Sequence, residues 1–406
     1  MSANSQQARI LEFNSPAELT HVLREIRVDP YGIKIMLPKA ESRLIRITGI
    51  SNIAANIIKQ EMLSFGGDAA VSKDALTGKC KKTDCLIIGD LSSVTSLVKK
   101  LRLQPFGLRF IAEQISQALA SYRNREKLIL KLGRYNLNLS KRAHIMGIVN
   151  ITPDSFSRDG LLKSPLKDIL EYAQCMVSKG ADIIDVGGES SRPGAIAVTV
   201  GEELRRVIPV IKLLSKKISV PLSVDTYKPQ VANAALDNGA VMVNDISGLR
   251  NDAMIKTVSR HKAAVTIMHM KGIPRTMQRN IKYGALINEV TGFLTGAIKK
   301  ATDGGIEKER IVIDPGVGFG KELKHNLRIL RNLAEFKSLG LPIMVGVSRK
   351  SFIGKISGKE ATDRLYGSLA AEILALREGA NLLRVHDVAE TKDALDTFEA
   401  IRQGWN

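Results

Sequence analysis

The chain has 406 residues, of which 44% are hydrophobic and 25% charged; this is ordinary globular composition, long enough for two or three domains. No apolar run reaches the roughly 18–20 residues of a membrane span, and the first residues lack a basic-then-apolar leader pattern, so a cytoplasmic protein with no membrane partner is expected. The net charge of +19 is shared, with 21 Lys/Arg against 12 Asp/Glu in residues 1–140 and 39 against 29 in the remainder.

With only 4% aromatic residues and no basic–aromatic interleaving, nucleic acid is not an expected partner. A site for anionic substrates is a better use of the charge. Cys80, Cys85 and Cys175 have no matched spacing and no accompanying His pair, so reduced thiols are expected rather than a disulfide or zinc site.

In chain order, residues 1–15 are polar and aperiodic. Residues 43–49 (RLIRITG) read as a strand. Residues 51–65 carry apolar residues at helical spacing, closed by Gly66-Gly67. A turn at 78–84, a strand at 84–90 and helices at 92–103 and 110–124 follow. Residues 1–140 are therefore expected to form a small α/β extension domain. It holds no convincing catalytic pair, and its role does not follow from its residues; docking or oligomerisation is the idea to test.

From 141 the pattern repeats. Short apolar runs at 144–150, 182–188, 220–226, 240–245, 263–270, 310–316, 341–348 and 380–387 alternate with helical stretches such as 165–180 and 361–379. Eight strand–helix units in sequence predict a parallel α/β fold, a (β/α)8 barrel over 141–406; an open doubly wound sheet is the alternative. Each run stops on polar residues: Asn150, Glu189 with Arg192 just after, Asp225, Asn244 with Asp245, His269, Asp314, Ser348 with Lys350, and Arg384 with His386. One such ending is ordinarily a cap or turn residue. Eight, converging on the C-terminal mouth of a barrel, point to an active site. Arg192, Lys350, Arg384 and His386 suit an anion. Asp225, Asn244 and Asp314 suit a flat hydrogen-bonding heterocycle. His269 reads as a satisfied strand-end histidine, and His144, at a strand start, belongs to the opposite face of the barrel.

Seven stretches resemble the signatures of dihydropteroate synthases, in that family's order: IMGIVNITPDSFSRDG (145–160), DVGGESSRPGA (185–195), 223–248, IMHMKGIPRTMQ (267–278), DPGVGFGK (314–321), VGVSRKSFIG (345–354) and LLRVHDVAET (382–391). GVGFGK lacks the spacing of a P-loop. The resemblance implies a TIM barrel that condenses 6-hydroxymethyl-7,8-dihydropterin pyrophosphate with p-aminobenzoate in folate biosynthesis, as a sulfonamide target and a homodimer. It implies that Asp225, Asn244, Asp314 and Lys350 bind the pterin, in a slot lined by Ile246, Met268, Phe319 and Gly346. Asn150, Arg192, Arg384 and His386 would hold the pyrophosphate, Asn150 also touching Mg2+. Phe156, Ser191, Pro193, Ser348 and Arg349 would shape the p-aminobenzoate side. The chemistry implied is an SN1-like transfer. Ser191 departs from the threonine usual in the family, and the first 140 residues are absent from its shorter members.

Three rivals stand beside this reading. A corrinoid methyltransferase would share the pterin carboxylates but would not need Arg192, Lys350, Arg384 and His386. A synthase using another arylamine would share the pterin half. A silent scaffold protein would have no use for a complete site.

Overall fold

A computed structural model of the chain describes residues 8, 10, 11, 13, 16–123, 127–153, 161–192 and 194–403. The chain forms two units, 1–120 and 121–406.

The first unit begins with two short helices, α1 (Pro16–Glu25) and α2 (Pro30–Ala40). Asp29 caps α2 and Pro30 enters its first turn, where a missing N–H does no harm. Then follow β1 (Ser42–Ser51), α3 (Asn52–Ser64), β2 (Asp68–Val71), α4 (Lys73–Leu76), β3 (Lys82–Asp90), α5 (Leu91–Leu101) and α6 (Leu108–Arg123). The strands form an antiparallel sheet in the order β1-β3-β2. Ile58 and Met62 of α3, Leu97 and Leu101 of α5, and Ile111 and Ile115 of α6 form one core with Ile87 of β3. Cys85 is buried in it, and burial pushes its thiol up to about 11; all three cysteines are unbridged.

The second unit starts with a hairpin, β4 (Ile129–Leu132) and β5 (Tyr135–Asn138), turning at Gly133 with φ +58°. Sequence reading assigned 121–140 to the extension. Instead Leu130, Leu132 and Leu139 pack into the closed floor of the second unit, because that floor is apolar and needs a cover.

The barrel strands are β6 (His144–Asn150), β7 (Ile183–Gly187), β8 (Leu222–Asp225), β9 (Met242–Asp245), β10 (Ala264–Met268), β11 (Ile311–Asp314), β12 (Met344–Val345) and β13 (Leu382–Val385). Between and after them run α7 (Leu166–Ser178), α8 (Val200–Lys217), α9 (Pro229–Asp237), α10 (Asp252–Arg260), α11 (Leu286–Asp303), α12 (Leu323–Arg331), α13 (Ser351–Ser357), α14 (Leu365–Glu378) and α15 (Val388–Gln403). The sheet order is β11-β10-β9-β8-β7-β6-β13-β12, and a parallel bridge between Ile313 and Ile343 closes the ring. This is the expected (β/α)8 barrel; the open-sheet alternative is excluded.

Alternation along the strands places the site. Ile145, Ile184, Val224, Val243, Val265, Ile313, Val345 and Leu383 point outward to the helices. Met146, Ile183, Met242, Ala264, Val312, Met344 and Leu382 fill the floor with the hairpin leucines. A strand repeats every second residue, so the next inward positions are Ile148, Asp185, Asn244, Thr266, Asp314, Gly346 and Arg384. One rung above an apolar floor, the interior becomes polar and charged.

Candidate active site

A cavity of about 1000 Å³ opens at the C-terminal ends of the strands. Its wall includes Asn150, Ser191, Arg192, Asp225, Asn244, Ile246, Met268, Asp314, Phe319, Gly346, Ser348, Arg349, Lys350, Arg384 and His386. The structure thus brings together every site residue expected from sequence except Phe156 and Pro193, which lie outside the described residues.

Arg384 occupies the centre. Its Nε donates to Asp185 Oδ2 at 2.7 Å, and its Nη2 donates to Asp225 Oδ2 at 2.7 Å. Burial works against the guanidinium charge, but Asp185, Asp225 and Asp314 outweigh it and raise its pKa. Asn244 Nδ2 donates to the same Asp185 oxygen at 3.0 Å. Asp225 is pushed up to about 7, first by burial and then by the carboxylates around it, with Arg384 opposing. Burial also raises Asp314, whose Oδ1 accepts from Gly316 N at 2.6 Å. Lys350 sits 4.6 Å above the Phe319 ring, a cation–π arrangement, and donates to the Val317 carbonyl. Burial pulls it down to about 8, against the attraction of Asp314.

The loop after β11 is built around a buried lysine. Lys321 is 2% exposed. Its Nζ contacts Gly316 O at 2.8 Å, Phe319 O at 3.0 Å, His269 O at 3.2 Å and His269 Nδ1 at 2.9 Å. His269 Nδ1 thus faces Lys321 Nζ, and burial together with Lys321 drives its pKa down to about 2. It is the satisfied neutral histidine the sequence suggested. Gly316, at φ +71°, is required: a Cβ there would lie 1.8 Å from the His269 carbonyl oxygen.

The loop after β7 is anchored by charge. Lys228 Nζ bridges Glu189 and Glu203, the Tyr227 hydroxyl donates to Glu189 Oε1 at 2.8 Å, and Val198 N donates to Glu189 Oε2 at 3.0 Å. Glu189 is thus committed to the loop that carries Ser191 and Arg192. Opposite, Arg349 takes a left-handed backbone, φ +57°, and pairs with Asp387. Its N–H donates to Ser368 Oγ at 2.8 Å. Ser348 Oγ accepts from His386 N at 3.3 Å and lies 3.2 Å from His386 Nδ1.

Two polar strand endings do not face the cavity. Asp245 accepts from Ser247 N and Leu249 N, capping its own turn, and His269 serves Lys321. Sequence reading missed Asp185 and Lys321. Asp185 announces itself as a lone carboxylate within the apolar run IIDVG; it stands mid-strand, where attention to strand ends does not reach. His144 sits at the floor end, buried beside Arg142, as expected.

A family model for pterin binding enzymes matches residues 146–386, so the barrel is that of an enzyme that binds a pterin. The chain is 45% identical to the dihydropteroate synthase of Escherichia coli K12 over 265 residues, covering 65% of this chain and 93% of that one. The Yersinia pestis dihydropteroate synthase solved with a sulfonamide drug superposes with a TM-score of 0.66 at 40% identity, over 68% of this chain and 100% of that one. The Xanthomonas albilineans enzyme solved with 4-aminobenzoic acid gives 0.63 at 43%, over 68% and 98%. The chain belongs to the dihydropteroate synthase family: it is a transferase of folate biosynthesis, joining a dihydropterin pyrophosphate to p-aminobenzoate.

Proposed function

We propose that this condensation runs by a dissociative, SN1-like route in the cavity of the barrel. The observation that carries the reading is the pairing of Arg384 with Asp225 in the cavity wall, beside Asn244 and Asp314: a cation for the leaving anion beside acceptors for a heterocycle. Asp225 and Asp314 accept from the amino-pyrimidinone edge of the pterin, and Asn244 and Lys350 complete its hydrogen bonding. Ile246, Met268, Phe319 and Gly346 form the slot. Arg192, Arg384 and His386 hold the pyrophosphate. Ser191, Ser348 and Arg349 border the arylamine, with Pro193 and Phe156 assigned to the same side on resemblance alone.

The C–O bond of the pterin methylene breaks first, and its electron pair leaves with the pyrophosphate. Cationic groups already fixed at that end stabilise the charge where it develops. The neutral arylamine nitrogen then donates its lone pair to the methylene carbon and loses a proton to solvent. No strong base is required, and alignment of the two substrates supplies much of the acceleration.

The donor set fits magnesium as an ion that arrives with the pyrophosphate. Asn150 offers an amide oxygen at the cavity wall. Its Oδ1 stands beside Gly187, which has no side chain to cover it. Mg2+ ordinarily keeps several waters and takes few protein oxygens alongside substrate phosphates. When bound, it would supply Lewis-acid neutralisation of the leaving group.

A homodimer, a cytoplasmic location and a docking role for the first unit belong to the same reading. Among the described residues, no helix is long and apolar enough to cross a membrane. Turnover by an Arg384→Ala variant tests the anion assignment: a large loss is expected, and near-normal turnover would refute it.

A further inference from the structure

Asp185 is wholly buried at the centre of β7 and does not line the cavity. Burying a carboxylate is expensive unless it is paired, and both of its partners are site residues. One oxygen accepts from Arg384 Nε at 2.7 Å and from Asn244 Nδ2 at 3.0 Å. The other end of the guanidinium, Nη2, rests on Asp225, which does line the cavity. Arg384 thus has two carboxylate partners of different standing. Asp185 is sealed beneath the cavity wall. Asp225 is exposed to a substrate.

We propose that Asp185 is a positioning residue that anchors the Nε edge of Arg384 and the amide of Asn244, so that a heterocycle taking Asp225 releases Nη2 to the pyrophosphate. The proposal rests on the assignment of Asp225 to the pterin and Arg384 to the anion. While Asp225 is free it competes with pyrophosphate for Nη2. Once the pterin edge occupies its oxygens, that competition ends, while Asp185 keeps the arginine in place. The two half-sites are therefore coupled, and by linkage the coupling is reciprocal.

The test measures pyrophosphate affinity by calorimetry, in the presence of Mg2+, with and without saturating 6-hydroxymethylpterin. It uses the full-length chain as wild type, Asp185→Asn, Arg384→Ala and Ser223→Ala. Ser223 pairs with Asp185 across β7 and β8 at the same depth and controls for packing.

In the wild type, pyrophosphate affinity is expected to rise at least about fivefold when the pterin is present. Asp185→Asn should weaken pyrophosphate binding about tenfold or more and abolish that rise, while Ser223→Ala keeps it. A wild type that shows no rise overturns the proposal, whatever the variants do, including a failure of Asp185→Asn to fold. So does an Asp185→Asn protein with wild-type affinity and coupling. If Arg384→Ala itself binds pyrophosphate normally, the underlying assignment fails instead; if it does not bind while Asp185→Asn does, only the role of Asp185 fails.

Discussion

Replacing Asp225 by Asn should make the free protein more stable and nearly inactive. The carboxyl has an ordinary pKa of 3.8 and is pushed up to about 7 in the folded barrel, by burial against the pull of Arg384. Keeping it ionised there costs about 4 kcal/mol at pH values above 7. Because the folded-state value is the higher one, this group's contribution to stability is fully present below 3.8 and is lost as pH rises through 7. Asn resembles the protonated acid and escapes that loss. Urea unfolding at a series of pH values should therefore show a gap in favour of Asp225→Asn that is small near pH 4, widens steadily, and levels off above 7 at about 2–4 kcal/mol, the lower figure allowing for relaxation around the charge. Two hydrogen bonds from the pterin edge to a charged acceptor contribute roughly 1.5–3 kcal/mol each, so kcat/KM should fall by roughly 10²–10⁴-fold. A variant no more stable than wild type at pH 8, or a gap independent of pH, would refute the electrostatic picture of the site.

Asp225 and Lys350 together shape the pH profile. Asp225 must be ionised to accept from the pterin, and Lys350, pulled down to about 8, must be protonated; kcat/KM should be bell-shaped, rising through about 7 and falling above about 8, and a flat profile from 6 to 9 would count against both roles. Gly316→Ala should destabilise the barrel by about 3 kcal/mol or more through the clash with His269, whereas Gly358→Ala, at a similar φ of +70° with open space around it, should cost about 1 kcal/mol; equal thermal shifts would refute the distinction. A fragment 121–406 should fold, but 141–406 should not match it. Removing the hairpin uncovers the floor and strips out Leu130, Leu132 and Leu139, each contributing about 1.5–3 kcal/mol, so comparable melting temperatures would disprove the hairpin's role.

The barrel was legible because its strands are buried on both faces and read as apolar runs, and because eight of them alternate with helical patterns. Their polar endings led to the cavity. Where strand ends misled, parity explains it: Asn244 and Asp245 are neighbours and cannot share a face, and only Asn244 repeats the inward register of Met242. His269 stands likewise one residue past inward-facing Met268. The same parity marks Asp185, two residues after Ile183. Lys321 was less accessible, because its burial depends on a loop whose carbonyls converge only once folded. The hairpin left a signal in Leu130, Leu132 and Leu137 about Gly133, but four-residue strands offer too few turns of the pattern to stand out. The long stretch before it carries a legible fold, with no chemistry attached to it.

Release of pyrophosphate from the dihydropterin substrate, followed with p-aminobenzoate and with other arylamines, tests the central claim most directly. Rapid release with p-aminobenzoate, abolished in Arg384→Ala and Asp225→Asn, is the expected result; no release with any arylamine would contradict it.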